Sequence, residues 1–207
     1  MPFVPGRHAN PPPAYPAAND SRLSCVVMLT FISGNTNKVR ECERLLGATL
    51  AYASLPLDEI QSIDPLPVVE HKARLAYAAL SRPVLVEDTG LAFVAWNGLP
   101  GALIKWFLSS LGPEGLCRMM RAETNRAATA TTLLGYCDGE SVRTFAGTVQ
   151  GSIPDQPRGT RGFGWDAIFQ PEASNLTFAE MSAAEKDRFS MRRKALEAFR
   201  ASGLLAG

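Results

Sequence analysis

The first long run of apolar positions, Cys25–Ile32, is continuous, rich in β-branched residues and closed by Ser33-Gly34-Asn35, the pattern of a buried strand. Behind it, Asn37–Leu46 places Val39, Leu45 and Leu46 among charges, with Gly47 as a stop, so the chain reads strand, loop, helix. Thr49–Ser54 predicts the next strand. Pro67 at a first helical position predicts a helix through Leu80, with Val68, Leu75 and Ala79 on one side. Pro83–Val86 predicts a short strand that ends on Glu87-Asp88-Thr89-Gly90. Two helices, Ala102–Leu111 and Pro113–Met120, follow. Ala127–Ser152 alternates, is rich in threonine and carries Asp138-Gly139 between its halves, which predicts a hairpin. After the glycine-rich Gly159–Gly164, Ala167–Phe169 predicts a further strand. Ser182-x-x-Glu185 has the form of a capping box and opens a helical region to about Ser202. The expected fold is α/β: an elongated mixed sheet, part doubly wound, with two lobes flanking a central cleft as the natural ligand site.

Composition narrows the function more than the fold. A chain of 207 residues fits one domain, assigned to 25–207. Residues 1–24, with six prolines by position 16, are expected to be a disordered tail whose prolines oppose an amphipathic targeting helix. A net charge of +1 excludes a broad basic field, and with it a general binder of polymeric nucleic acid or membrane surfaces. No stretch approaches the roughly 20 apolar residues of a membrane span. Cys25, Cys42, Cys117 and Cys137 form no CxxC pair and read as core thiols of a reducing compartment, the cytoplasm. With His8 and His71 as the only histidines, and His71 expected on a solvated helix face, histidine-based metal or triad chemistry is nearly excluded.

Any anionic ligand must then be held locally. Ser33, Gly34, Asn35, Thr36, Asn37 and Lys38 join a strand to a helix, where backbone N–H groups and the positive helix end point at one spot. Taken alone, the loop is equally well an ordinary helix entry with Asn35 or Asn37 as N-cap. Its spacing is not that of a Walker A loop. Glu87-Asp88 lies at a strand end where α/β sheets bind ligands, and Glu59 lies in Leu57-Asp58-Glu59-Ile60-Gln61. Such acids either cap loops or, with substrate phosphates, hold a hard cation such as Mg²⁺. Lys72 and Lys105 are candidate phosphate contacts, Lys105 being unexpected in the apolar run Ala102–Leu108 unless it snorkels or meets an anion. An ammonium ~4 Å from a phosphate charge contributes roughly 4 kcal/mol at an effective dielectric near 20. A few lysines therefore suffice. Phe163-Gly164-Trp165-Asp166 reads either as a stacking platform for a base or as core aromatics at a bulge. Arg192, near Lys186, either donates to a 6-oxo group or belongs to a solvated face.

The order of these pieces is more specific than any one of them. Ser-Gly-Asn-x-x-Lys, Glu-Ile-Gln, Leu-Val-Glu-Asp-Thr-Gly-Leu, Gly-Leu-Pro-Gly-Ala-Leu-Ile-Lys-Trp-Phe, Phe-Gly-Trp-Asp and Ala-Glu-Lys…Ser-x-Arg together resemble the inosine triphosphate pyrophosphatase family, from Val26 to about Phe199. The resemblance implies hydrolysis of ITP, dITP and XTP to the monophosphate and pyrophosphate, with Mg²⁺ (or Mn²⁺ in its place), by a homodimer. By position, Ser33–Lys38 is similar to the triphosphate loop. Glu59 and Asp88 resemble the metal carboxylates, with Asp88 and Thr89 also at the substrate and Asp88 organising the attacking water. Lys72, Lys105 and Lys186 resemble phosphate and ribose contacts, Phe163, Gly164, Trp165 and Asp166 the base-stacking segment, and Arg192 the contact to the 6-oxo edge. Ser33 replaces the usual threonine and keeps a hydroxyl. Met191 stands where the family usually has histidine, and cannot donate a hydrogen bond. The alternatives are a nucleotide sensor that no longer turns over, and the same chemistry on another modified nucleotide.

Overall fold

The computed structural model describes residues 29–204. The proposed tail, residues 1–24, and Cys25 lie outside them. One mixed sheet of seven strands organises the described residues, in the order β2-β1-β3-β5-β6-β7, with β4 paired to β3 off this path. β1 (Thr30–Ile32) runs parallel to both β2 (Ala51–Ala53) and β3 (Val84–Phe93), which is the doubly wound part. β5 (Ala127–Cys137) and β6 (Val142–Ser152) form the long hairpin, antiparallel to β3, and β6 ends against β7 (Gln170–Pro171). Asp138 tightens its turn by accepting from the N–H groups of Glu140 and Ser141 at 3.1 Å each.

α1 (Thr36–Leu46) is capped by Asn35 and stopped by Gly47 in the left-handed conformation. α2 (Pro65–Leu80) starts two residues before the expected Pro67, because Asp64 caps it and Pro65 takes the first helical position. Its buried stripe is Val68, Val69, Ala73 and Ala76, not Leu75 and Ala79, and His71 is half-buried. β4 (Pro100–Gly101) leads into α3 (Ile104–Met119), which is broken at Gly112 (φ 68°, ψ 172°), so the two expected helices are present as two arms. α4 (Ala183–Phe189) carries the expected capping box, and Ser190 separates it from α5 (Met191–Ala201).

Two expectations fail. Ala167–Phe169 is not a strand: Asp166–Ile168 is a single 3₁₀ turn, and pairing with β6 begins only at Gln170. The strand expected over Pro83–Val86 does not end at Glu87. β3 continues through Phe93, because β5 pairs with it throughout, whereas its parallel neighbour β1 stops opposite Val86. Glu87 and Asp88 thus lie mid-strand, just where β1 ends and its side of β3 opens.

Three apolar clusters hold the sheet. One packs α1 and α5 on one side around Phe31, Leu196 and Phe199. A second packs α2 around Val69, Val84 and Val86. The largest joins α3 to the far half of the hairpin through Phe93, Leu116, Met120, Phe169 and Phe178. Cys42, Cys117 and Cys137 are free, buried thiols, as expected.

Candidate active site

A cleft of about 870 Å³ opens where β1 ends, and every site residue inferred from sequence lines it except Asn37. Its first wall is the β1–α1 loop. Ser33 Oγ accepts from the Asn35 N–H at 3.1 Å, and Asn35 Oδ1 accepts from the N–H groups of Asn37 and Lys38 at 3.0 and 3.3 Å. Asn35 is the N-cap, and the N–H groups of Gly34 and Thr36, which take no part in these bonds, sit at the positive helix end beside the cleft. The Lys38 ammonium is 3.1 Å from Glu87 Oε1.

The second wall carries the acids. Glu59, in the segment between β2 and α2, pairs with Lys72 at 3.3 Å. Asp88 is half-buried, and its Oδ2 is shielded from solvent without a hydrogen-bond partner. Burial pushes the Asp88 carboxyl above the usual aspartate range; Lys38 and Lys72 pull it back, and Glu59 pushes it further up. Among the described residues no three His, Cys, Asp or Glu side chains converge as a closed metal cage. Two carboxylates, one with an unpartnered oxygen, match a cation whose remaining ligands come from substrate phosphates and water. Lys105 is exposed at the rim, 5.7 Å from the centroid of the Trp106 ring, so its ammonium snorkels out of the apolar run.

The third wall is the end where a base would lie, and here the geometry redistributes the expected roles. Trp165 is buried and packs on Phe169 and Phe178 at 5.7 and 6.3 Å between centroids, so it belongs largely to the core; Phe163, half-buried, lines the cleft beside it. Asp166 is buried: its Oδ2 accepts from the Phe163 N–H at 2.9 Å and from Lys186 Nζ at 2.8 Å, fixing the platform. Gly162 has φ +73°, and any Cβ there would strike the Asp166 carboxylate. Arg192 is 1% exposed and forked onto Glu87, with its Nη1 on Glu41. Lys186 also pairs with Glu41, at 3.1 Å. Met191 is buried in the same cluster as Trp165.

A chain of buried charge thus links the two ends of the cleft, from Lys38 through Glu87, Arg192, Glu41 and Lys186 to Asp166. Glu41 was missed from sequence. Its neighbours Arg40 and Glu43 look the same on paper, and only the fold of α1 against α5 turns Glu41 inward.

The Ham1 family matches residues 29–202, which is nearly all of the described chain. The chain belongs to the Ham1 family. Among curated relatives, the inosine triphosphate pyrophosphatase of Yarrowia lipolytica is 45% identical over 175 residues, covering 82% of this chain and 92% of that protein. Inosine triphosphate pyrophosphatase 1 of Trypanosoma cruzi is 42% identical, covering 84% and 90%. Among solved structures, a HAM1 protein from Coxiella burnetii superposes with a TM-score of 0.72 at 25% identity, over 86% of this chain and 98% of that one. A nucleoside-triphosphatase, described as a dITP/XTP pyrophosphatase, from Mycobacterium abscessus gives 0.65 at 27% identity, over 83% and 98%.

Proposed function

We propose that this protein hydrolyses non-canonical purine nucleoside triphosphates, ITP, dITP and XTP, to the monophosphate and pyrophosphate, and so clears them from the nucleotide pool. The observation that carries this reading is one cleft holding a helix-end phosphate loop, a carboxylate with a free oxygen and a half-exposed phenylalanine ring. Relatives named for inosine triphosphate and dITP/XTP supply the substrate class.

The triphosphate lies along the Gly34 and Thr36 N–H groups, with Lys72 and Lys105 offsetting its charge. The purine stacks on Phe163, whose backbone Asp166 holds in place. Glu59 and Asp88 would hold Mg²⁺, or Mn²⁺ in its place, and that ion supplies charge neutralisation at the phosphate oxygens. Asp88, which lines the cleft from β3, orients the attacking water and takes its proton. Water adds across the α–β anhydride, and the products are the nucleoside monophosphate, pyrophosphate and one proton. The free oxygen of Asp88 favours turnover over silent sensing. As the resemblance implies, the protein acts as a homodimer, and its unpaired cysteines fit the cytoplasm.

The test is a panel of ITP, XTP, dITP, GTP and ATP with Mg²⁺, read as monophosphate and pyrophosphate by chromatography. IMP and pyrophosphate in equal amounts are expected from ITP, and none after chelation with EDTA. A folded protein that leaves ITP intact would sink the proposal.

A further inference from the structure

The segment from Ser54 to Asp64 has no regular structure, yet it carries Glu59 into the cleft. Among the described residues, three contacts tie it to the opposite elements. Lys72 reaches the Glu59 carboxylate. The Ala102 N–H donates to the Ile63 carbonyl at 2.9 Å, beside Gly101, where a Cβ would collide with that carbonyl. The third is a side-chain relay: Trp106 Nε1–H donates to Gln61 Oε1 at 2.6 Å, and Gln61 Nε2–H donates to the backbone carbonyl of Glu59 at 3.1 Å.

Trp106 itself is 53% exposed, an expensive place for an indole that contributes nothing to the core. Its ring also lies beside the Lys105 ammonium. The first turn of α3 therefore carries both a cation for phosphate and the donor that fixes the acidic segment facing it. Resting on the pyrophosphatase reading above, we propose that Trp106 is a positioning residue: through Gln61 it latches the backbone of Glu59, so that this carboxylate stands ready in the cleft before a divalent cation arrives. Lys72 restrains the same side chain only by an ion pair that a cation must displace, so the relay is what keeps Glu59 in place once Lys72 has turned to phosphate. Groups that orient a metal ligand from behind commonly alter metal affinity by about 10–100-fold when removed.

The experiment compares the full-length wild type with Trp106→Phe, which keeps the ring and loses the donor, with Gln61→Ala, and with the double variant. Mn²⁺ binding is measured from the electron paramagnetic resonance of the free ion, with α,β-methylene-ITP present so that no turnover occurs. Each single variant is expected to raise the Mn²⁺ dissociation constant about tenfold. The double variant is expected to stay within about twofold of the singles, because both break one relay. The Mg²⁺ needed for half-maximal ITP hydrolysis shifts in parallel, while kcat at saturating Mg²⁺ holds. Should Trp106→Phe melt early, Gln61→Ala on the exposed segment carries the test. Unchanged Mn²⁺ binding overturns the latch. So does a raised KM for ITP at saturating Mg²⁺ with unchanged Mn²⁺ binding, which would set Trp106 against the substrate. A wild type that neither binds Mn²⁺ nor hydrolyses ITP overturns the functional reading, and the latch with it.

Discussion

Arg192 and Glu87 meet through two parallel hydrogen bonds of 2.7 Å, Nε to Oε2 and Nη2 to Oε1, with both side chains 1% exposed. This forked geometry is the strong form of a guanidinium–carboxylate pair. Burial pushes Glu87 up and Arg192 down to about 9; each charge persists because the other is there, with Lys38 adding to the support of Glu87. Removing one partner of such a pair leaves an uncompensated buried charge, at a cost of about 3–5 kcal/mol. Glu87→Gln is therefore expected to lower Tm by roughly 10 °C. Arg192→Met should cost at least as much, since Glu41 also depends on it. Thermal melts followed by circular dichroism check both. A shift of under about 2 °C would mean the pair contributes little.

Asp88 presents the opposite case, in which function is held against stability. Its proton affinity is raised by burial, so the folded form binds the proton more tightly than the unfolded form. Below the unfolded value both forms hold the proton. As pH rises through the unfolded and then the folded value, the residue subtracts stability. Asp88→Asn is expected to raise Tm of the metal-free protein at pH 7, read in thermal melts. The gain should shrink below the ordinary aspartate range. The same variant should lose ITP hydrolysis by about a thousandfold while still binding nucleotide. Turnover and nucleotide binding of this variant, measured side by side, check the role; retained turnover would argue against Asp88 as the group that takes the proton.

Lys72 and Lys105 separate by exposure. Lys72 is half-buried on Glu59, whereas Lys105 is exposed at the rim. At 1 M salt the screening length is about 3 Å, so an exposed lysine loses most of its pull on a phosphate. Lys105→Met is expected to lower kcat/KM for ITP about tenfold at low salt and far less at 1 M. Lys72→Met should lower it about a hundredfold, with a weaker dependence on salt. Steady-state kinetics across a salt series distinguish them. Equal salt sensitivity would mean that both lysines meet the phosphates in bulk-like solvent.

Much of this was legible in the chain before the fold was. The β1–α1 loop, the hairpin turn at Asp138-Gly139, the capping box at Ser182 and the break before Pro113 depend on local spacing, and local spacing is written in the sequence. The length of β3 was not, because what continues it past Val86 is β5, paired from more than thirty residues away. The same holds at the site. Which residues line the cleft followed from order along the chain, but what each one touches did not. Asp166 and Arg192 read as ligand contacts in sequence and are partners of Lys186 and Glu87 in the fold. Glu41 had no signal at all, since burial of one acid among several depends on α5 packing across α1.

Trp165 packs in the core, and Phe163 is the half-buried ring at this end of the cleft. Its ring is backed by cations, Lys186 at 5.0 Å and Arg192 at 5.8 Å from the centroid. Stacking on an aromatic face contributes about 1–3 kcal/mol per base and tolerates any base, because every base has a π-face. Phe163→Ala should therefore raise KM about tenfold or more for ITP, and by a similar factor for GTP and ATP. The ratio of kcat/KM between ITP and the other purines should hold within about threefold. Met191 predicts the contrary behaviour: packed in the core cluster, it shapes the pocket without donating a hydrogen bond, so Met191→Ala should change that ratio more than it changes KM for ITP. Kinetics of both variants on the three nucleotides separate holding a base from choosing one. If Phe163→Ala moved the ratio and Met191→Ala did not, selectivity would reside in the platform, and the buried charge chain behind it would be what aims it.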